Sequence, residues 1–154
     1  MCTRSMKKLL FLSTILTITR AKTFDKCELA RIFKRAGLDG FEGYSLQNWV
    51  CTAFYESAYN SAALNIEWHQ GKILSMDCGI FQINRFWWCL DNDTPVTLRN
   101  CGMSCSAFLD DDLTDDIICA KNIVKLHPGM SAWATWNSKC NRKGIDHFVA
   151  GCNI

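Results

Sequence analysis

The cysteine content limits this chain more strictly than any other feature of its sequence. The 154 residues include ten cysteines. The first residues have the pattern of a secretory signal peptide: basic side chains within residues 4–8, an apolar run over residues 9–18, and small residues at Thr19 and Ala21. Removal of this segment takes away Cys2 and leaves nine cysteines for an oxidising compartment. Eight of them predict a framework of four disulfide bridges around a small domain.

Cleavage after Ala21 would divide the chain into a signal peptide, residues 1–21, and one mature domain, residues 22–154. The apolar run is too short to span a bilayer, so we expect a secreted protein, with a retained N-terminal anchor as the alternative. The removed segment holds four basic residues and no acidic ones, so 17 Lys+Arg become 13 against 15 Asp+Glu and the net charge moves from +2 to −2. A mildly acidic surface argues against nucleic acid or an anionic membrane as the main partner.

Helical periodicity covers much of the mature chain. Residues 26–36 present apolar side chains at helical spacing, and Gly37 ends the pattern. A second helix begins after Ser45, whose side chain can cap it. Apolar side chains from Leu113 to Val124 predict a third helix that ends before Pro128, and a short fourth helix is predicted over residues 130–136.

The middle of the chain has a different character. Residues 58–76 lose the helical period, and short strands are predicted at residues 72–74 and 78–83. A long loop with several cysteines runs from Asn84 to about Ala107. The pattern as a whole predicts an α+β domain that is rich in helix and carries one small β-insertion.

Two carboxyl residues are candidates for catalysis. Glu56 follows Trp49 by seven residues and Ala53 by three, so a helix places it on the apolar face. Asp77 begins a short apolar strand. Glycoside hydrolysis requires one protonated and one ionised carboxyl group, and desolvation suits Glu56 to the protonated role. On the pattern alone, an ordinary helix-end glutamate and strand-start aspartate are the commoner interpretation.

An acidic run occupies residues 110–116, where five of seven residues are aspartate. Aspartate is favourable in the first turn of a helix, but this many charges repel one another unless a cation binds. Calcium prefers carboxylate and carbonyl oxygens, although the spacing is not that of an EF-hand. Composition alone supports a cation site and a solvated acidic face equally.

Other residue types admit two interpretations each. Trp87, Trp88, Trp133 and Trp136 could form a sugar-stacking wall or pack in the core. Zinc ligation by Cys89, Cys101 and Cys105 is less favoured than disulfide formation. The histidines are scattered and are expected at the surface: His69, His127 and His147. The sequon at Asn92 is a poor glycosylation site because Pro95 follows it.

Six motifs occur together in the mature chain: Cys27-Glu28-Leu29-Ala30, Tyr44-Ser45-Leu46-Gln47-Asn48-Trp49-Val50-Cys51, Tyr55-Glu56-Ser57, Gly79-Ile80-Phe81-Gln82-Ile83-Asn84, Trp87-Trp88-Cys89 and Gly129-Met130-Ser131-Ala132-Trp133. With these motifs the chain resembles the C-type lysozymes and α-lactalbumins over its whole mature length. The resemblance implies a helical lobe and a small antiparallel β-lobe with a cleft between them, held by four disulfides.

The resemblance also implies a pairing of the cysteines. The implied bridges are Cys27–Cys152, Cys51–Cys140, Cys89–Cys105 and Cys101–Cys119. Cys78 is then left over as a thiol that could link two copies of the chain. Apart from that link, we expect a monomer.

Functional residues follow from the resemblance position by position. Glu56 falls on the general acid of the family and Asp77 on its second carboxylate. The implied substrate-binding residues are Gln82, Asn84, Trp87, Trp88, Ala132 and Trp133, with Trp133 as the ring that desolvates the acid. The acidic run resembles the calcium loop of α-lactalbumins and calcium-binding lysozymes, with the side chains of Asp110, Asp115 and Asp116 and the backbone carbonyls of Ala107 and Asp112 as ligands.

The implied function is that of a secreted, retaining glycoside hydrolase. Such an enzyme is antimicrobial and bacteriolytic: it cleaves the β-1,4 bond between N-acetylmuramic acid and N-acetylglucosamine in peptidoglycan, here with a structural Ca²⁺. A lysozyme-like protein that binds glycan with little turnover, for example in the reproductive tract, is the alternative. An α-lactalbumin-like modifier of a galactosyltransferase is a third hypothesis, although that branch lacks the acid that Glu56 supplies.

Four features depart from an ordinary lytic lysozyme. Residues 65–76 form a longer segment than the usual hairpin, so Asp77 could be displaced. Cys78 replaces an aromatic residue beside it. Leu126 stands where many lysozymes carry an aspartate that binds distal sugars. The mature charge is acidic, whereas a basic surface favours contact with anionic cell walls.

Overall fold

The computed structural model describes residues 21–90, 101–126 and 129–154. The predicted signal peptide up to residue 20, Asn92 and His127 lie outside these ranges. The described residues include four α-helices: α1 (Lys26–Arg35), α2 (Leu46–Ser57), α3 (Arg85–Trp88) and α4 (Thr114–Leu126). One antiparallel sheet contains β1 (Leu64–His69), β2 (Lys72–Cys78) and β3 (Ile83–Asn84) in the order β1-β2-β3. The predicted α+β class is confirmed.

Helix α1 begins at a side-chain cap that the sequence analysis did not single out. The Asp25 carboxylate accepts hydrogen bonds from the backbone N–H groups of Cys27, at 2.9 Å, and Glu28, at 3.2 Å. Two otherwise unsatisfied helix donors are thereby bonded. The helix ends at Arg35, one residue before the predicted end, and Gly37 turns the chain with a φ of 70°.

Helix α2 starts where predicted, but its cap differs from the prediction. Ser45 is the N-cap residue, yet its hydroxyl accepts a hydrogen bond from the Asn48 side chain, at 3.0 Å. The backbone N–H of Leu46 donates to the Asp39 carboxylate instead, at 3.0 Å. Asp39 therefore supplies the side-chain cap from the preceding loop. Local capping rules consider the residue at the helix start, so they indicated Ser45 and not Asp39.

The β-lobe is a longer hairpin than the two predicted strand segments. Strand β2 is continuous from Lys72 to Cys78, and Gln70 and Gly71 form its turn with β1 at φ values of 49° and 76°. The predicted strand over residues 78–83 is wrong for residues 79–82, since Cys78 ends β2 and Ile83 begins β3. A turn replaces it because Gly79 adopts a φ of 76° and packs so tightly that a Cβ atom would collide with the Phe108 carbonyl oxygen.

The predicted fourth helix over residues 130–136 is not formed as one helix. A 3₁₀ turn spans Gly129–Ala132 and a π-helical turn spans Trp136–Cys140. Trp133 donates its backbone N–H to Met130 with 3₁₀ spacing, at 3.0 Å, and Asn141 donates to Trp136 with π spacing, at 2.8 Å. Two different hydrogen-bond periods within a dozen residues explain why the prediction of one helix is wrong here.

The core joins the two lobes through large aromatic side chains. Phe33 of α1 stacks on Phe81 with ring centroids 5.2 Å apart, and Trp49 of α2 meets the same ring edge-on at 6.1 Å. All three are fully buried. Because Phe81 lies in the turn after β2, its burial anchors the sheet to the helices. Within the described ranges, no helix is both long and apolar enough to cross a membrane.

Three of the four expected disulfides are present: Cys27–Cys152, Cys51–Cys140 and Cys101–Cys119. The fourth expectation is wrong. Cys105 is bridged to Cys78, with Cα atoms 5.8 Å apart, and not to Cys89. The end of β2 packs against the 3₁₀ turn Cys105–Phe108, which brings Cys78 next to Cys105.

This bridge removes Cys78 as a route to a linked dimer, because its sulfur is both bonded and fully buried. Cys89 is also fully buried, and its Sγ lies 4.0 Å from the carbonyl oxygen of Asn84.

Candidate active site

A cleft of about 320 Å³ lies between the helical lobe and the sheet. Seven of the eight residues predicted for catalysis and substrate binding line it: Glu56, Asp77, Gln82, Asn84, Trp88, Ala132 and Trp133. The eighth, Trp87, lines an adjoining hollow together with Asn84, Trp88 and Ala132. The structure therefore brings the predicted set to one continuous surface.

Glu56 lies in the last turn of α2 and enters the cleft from the helical side. Burial raises the pKa of its carboxyl group above the ordinary value, and the nearby charge of Asp77 adds to the rise. The hydroxyl of Thr135 donates to Glu56 Oε1 and opposes part of this effect. The net result is a carboxyl group that keeps its proton to a higher pH than an exposed glutamate.

Trp133 forms part of the same cleft wall, and a hydrogen bond on the side away from the cleft fixes its ring. Its indole Nε1–H donates to the carbonyl oxygen of Phe81, at 2.8 Å, and only 6% of the residue is exposed. With its polar atom bonded away from the cleft, the ring offers an apolar surface beside the carboxyl groups. Such a surface excludes water and supports the desolvation of Glu56.

Asp77 enters the cleft from the sheet side, on β2. Asn84 donates its side-chain N–H to Asp77 Oδ1, at 2.7 Å, and Ser75 donates its hydroxyl to Oδ2, at 3.3 Å. The same amide of Asn84 lies 3.0 Å from the Ser75 oxygen and links the two donors. Both carboxylate oxygens are therefore bonded, which orients the group.

The extra length of the hairpin does not displace Asp77 from the cleft. A bulge between Glu67 and Trp68 and a tight turn at its tip take up the additional residues. Below the bulge the register is regular, and Asp77 pairs directly with Asn65, which also lines the cleft. The insertion therefore extends the free end of the sheet and leaves its base in place.

Gln82 and Asn84 fix the base of the sheet as well as lining the cleft. The Gln82 amide donates to the carbonyl oxygens of Ala63, at 3.0 Å, and Gly79, at 2.9 Å. Asn84 caps α3 by accepting from the backbone N–H groups of Phe86, at 3.1 Å, and Trp87. Each side chain thus connects two elements that meet at the cleft.

Three polar residues at the site were not predicted: Thr135, Asn65 and Ser75. Thr135 comes from the irregular segment after Trp133, and no motif marks it. Asn65 and Ser75 share the face of Asp77, and the period of two along a strand would have indicated this once the register was known.

The acidic run forms the loop before α4 and its first turn. Asp116 is fully buried, and burial raises the pKa of its carboxyl group to about 8, with the charges of Asp110 and Asp115 adding to the rise. Its Oδ1 accepts from the backbone N–H of Ile80, at 3.3 Å, whereas Oδ2 has no hydrogen-bond partner among the described residues.

Two of the other aspartates, Asp110 and Asp112, accept hydrogen bonds from residues within the loop. Asp110 accepts from the N–H of Asp112, at 2.9 Å, and Asp112 accepts from the backbone and hydroxyl of Thr114. Within the described ranges, no three His, Cys, Asp or Glu side chains are grouped so that they could hold a metal. The predicted ligands share one loop, and only Asp116 is turned inward with an unbonded oxygen.

A helical lobe, a three-stranded antiparallel sheet and a cleft that receives one carboxyl group from each side define the lysozyme-like class of α+β fold. The family model of the C-type lysozyme/alpha-lactalbumin family matches residues 22–152.

Individual relatives agree with this class. The chain is 44% identical to lysozyme C-2 of Sus scrofa over 151 residues, which is 97% of this chain and 100% of the relative. Identity to the intestinal isozyme of lysozyme C of Bos taurus is 44% with the same coverage. The milk isozyme of Canis lupus familiaris is 50% identical over 133 residues, 86% of this chain and 100% of the relative. The chain belongs to the C-type lysozyme/α-lactalbumin family.

Proposed function

We propose that this chain is a secreted, retaining glycosidase of the lysozyme type, with bacteriolytic and antimicrobial activity. Its substrate is the β-1,4 bond between N-acetylmuramic acid and N-acetylglucosamine in peptidoglycan. The observation that carries the proposal is the pairing in one cleft of Glu56, whose carboxyl pKa is raised, with Asp77, whose two oxygens accept hydrogen bonds. Lysozyme C relatives that align over their full length support it.

The two carboxyl groups have complementary roles in this reaction. Glu56 donates its proton to the glycosidic oxygen as the bond to the leaving sugar breaks. Asp77 faces the anomeric carbon and stabilises or bonds the positive centre that develops there. Glu56, now ionised, then accepts a proton from the water that releases the product. The raised pKa of Glu56 keeps the acid protonated where exposed glutamates are ionised.

The tryptophan wall suits a sugar chain. Trp87 is 56% exposed next to Trp88, and both lie beyond the carboxyl pair along the same surface. Aromatic faces pack against the apolar faces of pyranose rings, and neighbouring polar groups bond the hydroxyls. Asn65 offers such a polar group within the cleft.

A turnover assay of the purified mature protein tests the proposal. We expect hydrolysis of a chito-oligosaccharide and of bacterial cell walls, and loss of both activities in Glu56→Gln. Glu42→Gln is the matched control, since this exposed glutamate lies outside the residues that line the cleft. Equal turnover by Glu56→Gln and the unmodified protein would disprove the assignment.

The same assay separates the alternatives. Binding of chito-oligosaccharide without any turnover would contradict the enzymatic proposal and favour a glycan-binding protein. A change in galactosyltransferase activity on addition of the protein would favour the α-lactalbumin-like hypothesis instead.

We also propose that the acidic loop holds a structural Ca²⁺. The side chains of Asp110, Asp115 and Asp116 and the carbonyl oxygens of Ala107 and Asp112 would be its ligands. The donor set is all oxygen, which suits calcium. The unbonded Oδ2 of buried Asp116, with two further aspartate charges beside it, is the observation that supports the fit. The cation would neutralise this cluster and has no part in the bond cleavage.

A further inference from the structure

Ser57 is the last residue of α2 and directly follows the candidate acid, Glu56. Its hydroxyl oxygen lies 2.8 Å from the carbonyl oxygen of Ile80 and 3.0 Å from that of Ala53, one turn earlier in the helix. The contact with Ala53 stays within α2. The shorter contact, in which the hydroxyl donates to Ile80, joins the end of the helix to the turn between β2 and β3.

This turn, residues 79–82, connects the two strands that hold the second carboxyl group. Asp77 lies on β2 just before it, and Asn84, which donates to Asp77, lies in β3 just after it. The backbone N–H and the side-chain amide of Gln82 both donate back to the first residue of the turn, which keeps it closed. A movement of the turn relative to α2 would therefore move Asp77 relative to Glu56.

Separate segments bond to successive groups of the turn. The N–H of Ile80 donates to Asp116 of α4, at 3.3 Å, and the carbonyl oxygen of Phe81 accepts from Trp133. Among the hydrogen bonds of the described residues, the one from Ser57 joins the turn to α2. Ile80 is fully buried, so its carbonyl oxygen has no access to solvent while the turn keeps its place. Without the hydroxyl, that oxygen loses a bond or the turn shifts to reach water.

The chain leaves α2 in a conformation that local preference does not fix. Ala58 has a φ of 51° and Tyr59 a φ of 67°, in the left-handed region that is unfavourable for residues with a side chain. Such residues keep this conformation only where surrounding contacts hold them. Ser57 lies between the acid and this bend, and its bond to Ile80 supplies a contact of that kind.

We propose that Ser57 is a positioning residue that sets the separation between the carboxyl groups of Glu56 and Asp77. Ser57 is the neighbour of the acid in the chain, and Ile80 follows Asp77 by three residues. A retaining mechanism requires carboxyl groups about 5–5.5 Å apart, so even a small movement of the turn away from α2 impairs their joint action on one bond. This role in turnover rests on the proposed function, whereas the separation itself can be measured without a substrate.

The pKa of Glu56 reports the separation. Burial raises this pKa, the hydroxyl of Thr135 opposes the rise, and the charge of Asp77 on β2 adds to it. Asp77→Asn removes that charge, so the fall in the Glu56 pKa that it causes measures the electrostatic coupling of the two groups. Coupling weakens as the groups move apart and water enters between them, so Ser57→Ala should reduce it by roughly half.

A carbon-13 NMR titration of the Glu56 carboxyl group in the mature protein tests the proposal. Its pKa is measured with and without Asp77→Asn, first in the unmodified protein and then in Ser57→Ala. Ser57→Thr keeps the hydroxyl at a partly exposed position and should retain the full coupling, whereas Ser57→Val, of equal size, should not. In the turnover assay, Ser57→Ala should lower kcat about 10-fold and change KM less than about 2-fold. Far-UV circular dichroism checks that each variant folds.

Thr52→Val is the matched control. Thr52 is fully buried in α2, and its hydroxyl donates to the carbonyl oxygen of Asn48 in the same helix, at 2.8 Å. Loss of that bond should lower the unfolding temperature and leave the coupling unchanged. Unchanged coupling in Ser57→Ala would overturn the proposal, and so would an equal loss in Thr52→Val. Absence of turnover in the unmodified protein would refute the proposed function alone, because the titration decides the positioning role.

Discussion

The hydroxyl of Thr135 donates a hydrogen bond to the Glu56 carboxyl group across a sequence separation of 79 residues. Glu56 ends a regular helix, and Thr135 lies between a 3₁₀ turn and a π-helical turn. The bond stabilises the ionised form of the acid and limits the rise in pKa that burial causes. The pKa of the candidate catalytic acid is therefore a balance: desolvation and the charge of Asp77 raise it, and the hydrogen bond from Thr135 lowers it.

Replacement of Thr135 by valine should raise the pKa of Glu56 further. The donor favours the ionised carboxylate, so its loss favours the protonated acid, while burial is retained by the similar size of valine. The limb of the pH–rate profile where activity falls as Glu56 ionises should move to higher pH. The measurement is kcat/KM against pH for a chito-oligosaccharide. Thr135→Ser keeps the hydroxyl and should leave the limb in place; an equal shift in both variants would contradict this account.

Replacement of Asn84 by alanine should reduce catalysis more than binding. The substitution removes the 2.7 Å hydrogen bond to Asp77 and the cap of α3. Misplacement of a reacting group by about 1 Å costs on the order of 100-fold in rate. We expect kcat to fall about 10- to 100-fold with a smaller change in KM. Ser75→Ala removes only the longer bond to Asp77 and should have a weaker effect; the reverse order would show that Asn84 does not position Asp77.

Replacement of Asp116 by asparagine should stabilise the calcium-free protein at pH 7.5. The folded pKa of Asp116 is about 8 against an ordinary value of 3.8, so the folded state holds a proton that the unfolded state releases. This contribution to stability is complete below the unfolded pKa and is lost as pH rises through the folded pKa. Asparagine does not titrate, so the variant should not lose this stability as the pH rises. The unfolding temperatures of both proteins in EDTA, measured between pH 4 and pH 8, test the expectation.

Calcium should make the unmodified protein more stable than Asp116→Asn. Under the calcium proposal, added Ca²⁺ raises the unfolding temperature of the unmodified protein and leaves that of Asp116→Asn unchanged. Asp111→Asn is the control, because Asp111 is exposed and is not among the proposed ligands. An equal response of all three proteins to Ca²⁺ would exclude the site.

Peptide mapping without reduction should recover the Cys78–Cys105 bridge. Digestion under acidic conditions, which suppress thiol–disulfide exchange, is expected to yield a peptide that contains both residues. A peptide that joins Cys89 to Cys105 would contradict the pairing.

Local sequence patterns predicted the elements whose physics is local. Helices α1 and α2 follow from apolar spacing over single turns, and the position of Glu56 on the inner face of α2 follows from the same periodicity. The motifs around Gly79–Asn84 and Trp87–Cys89 carried the family resemblance, and with it the residues that line the cleft. The structure gathers these residues around one cavity because they lie at the ends of elements that meet there.

Other features depended on distant segments. The cap of α2 passes from Ser45 to Asp39 because a loop folds back onto the helix. Cys105 bridges to Cys78 because β2 packs on a 3₁₀ turn 27 residues away. Residue spacing does not determine the cap of α2 or the partner of Cys105. By local rules alone, more than one residue could cap the helix and more than one cysteine could form the bridge.

The sequence by itself determined the class of fold and the four-bridge framework, because periodicity and cysteine number can be read without knowledge of tertiary contacts. The two candidate carboxyl residues were indicated by the family resemblance. Tertiary structure alone decided the environment of those carboxyl groups. Thr135 reaches Glu56, Asn84 and Ser75 hold Asp77, and β1 is left as an open edge. Hydrogen bonds, desolvation and strand edges arise only when segments far apart in the chain come into contact, so they belong to the fold as a whole.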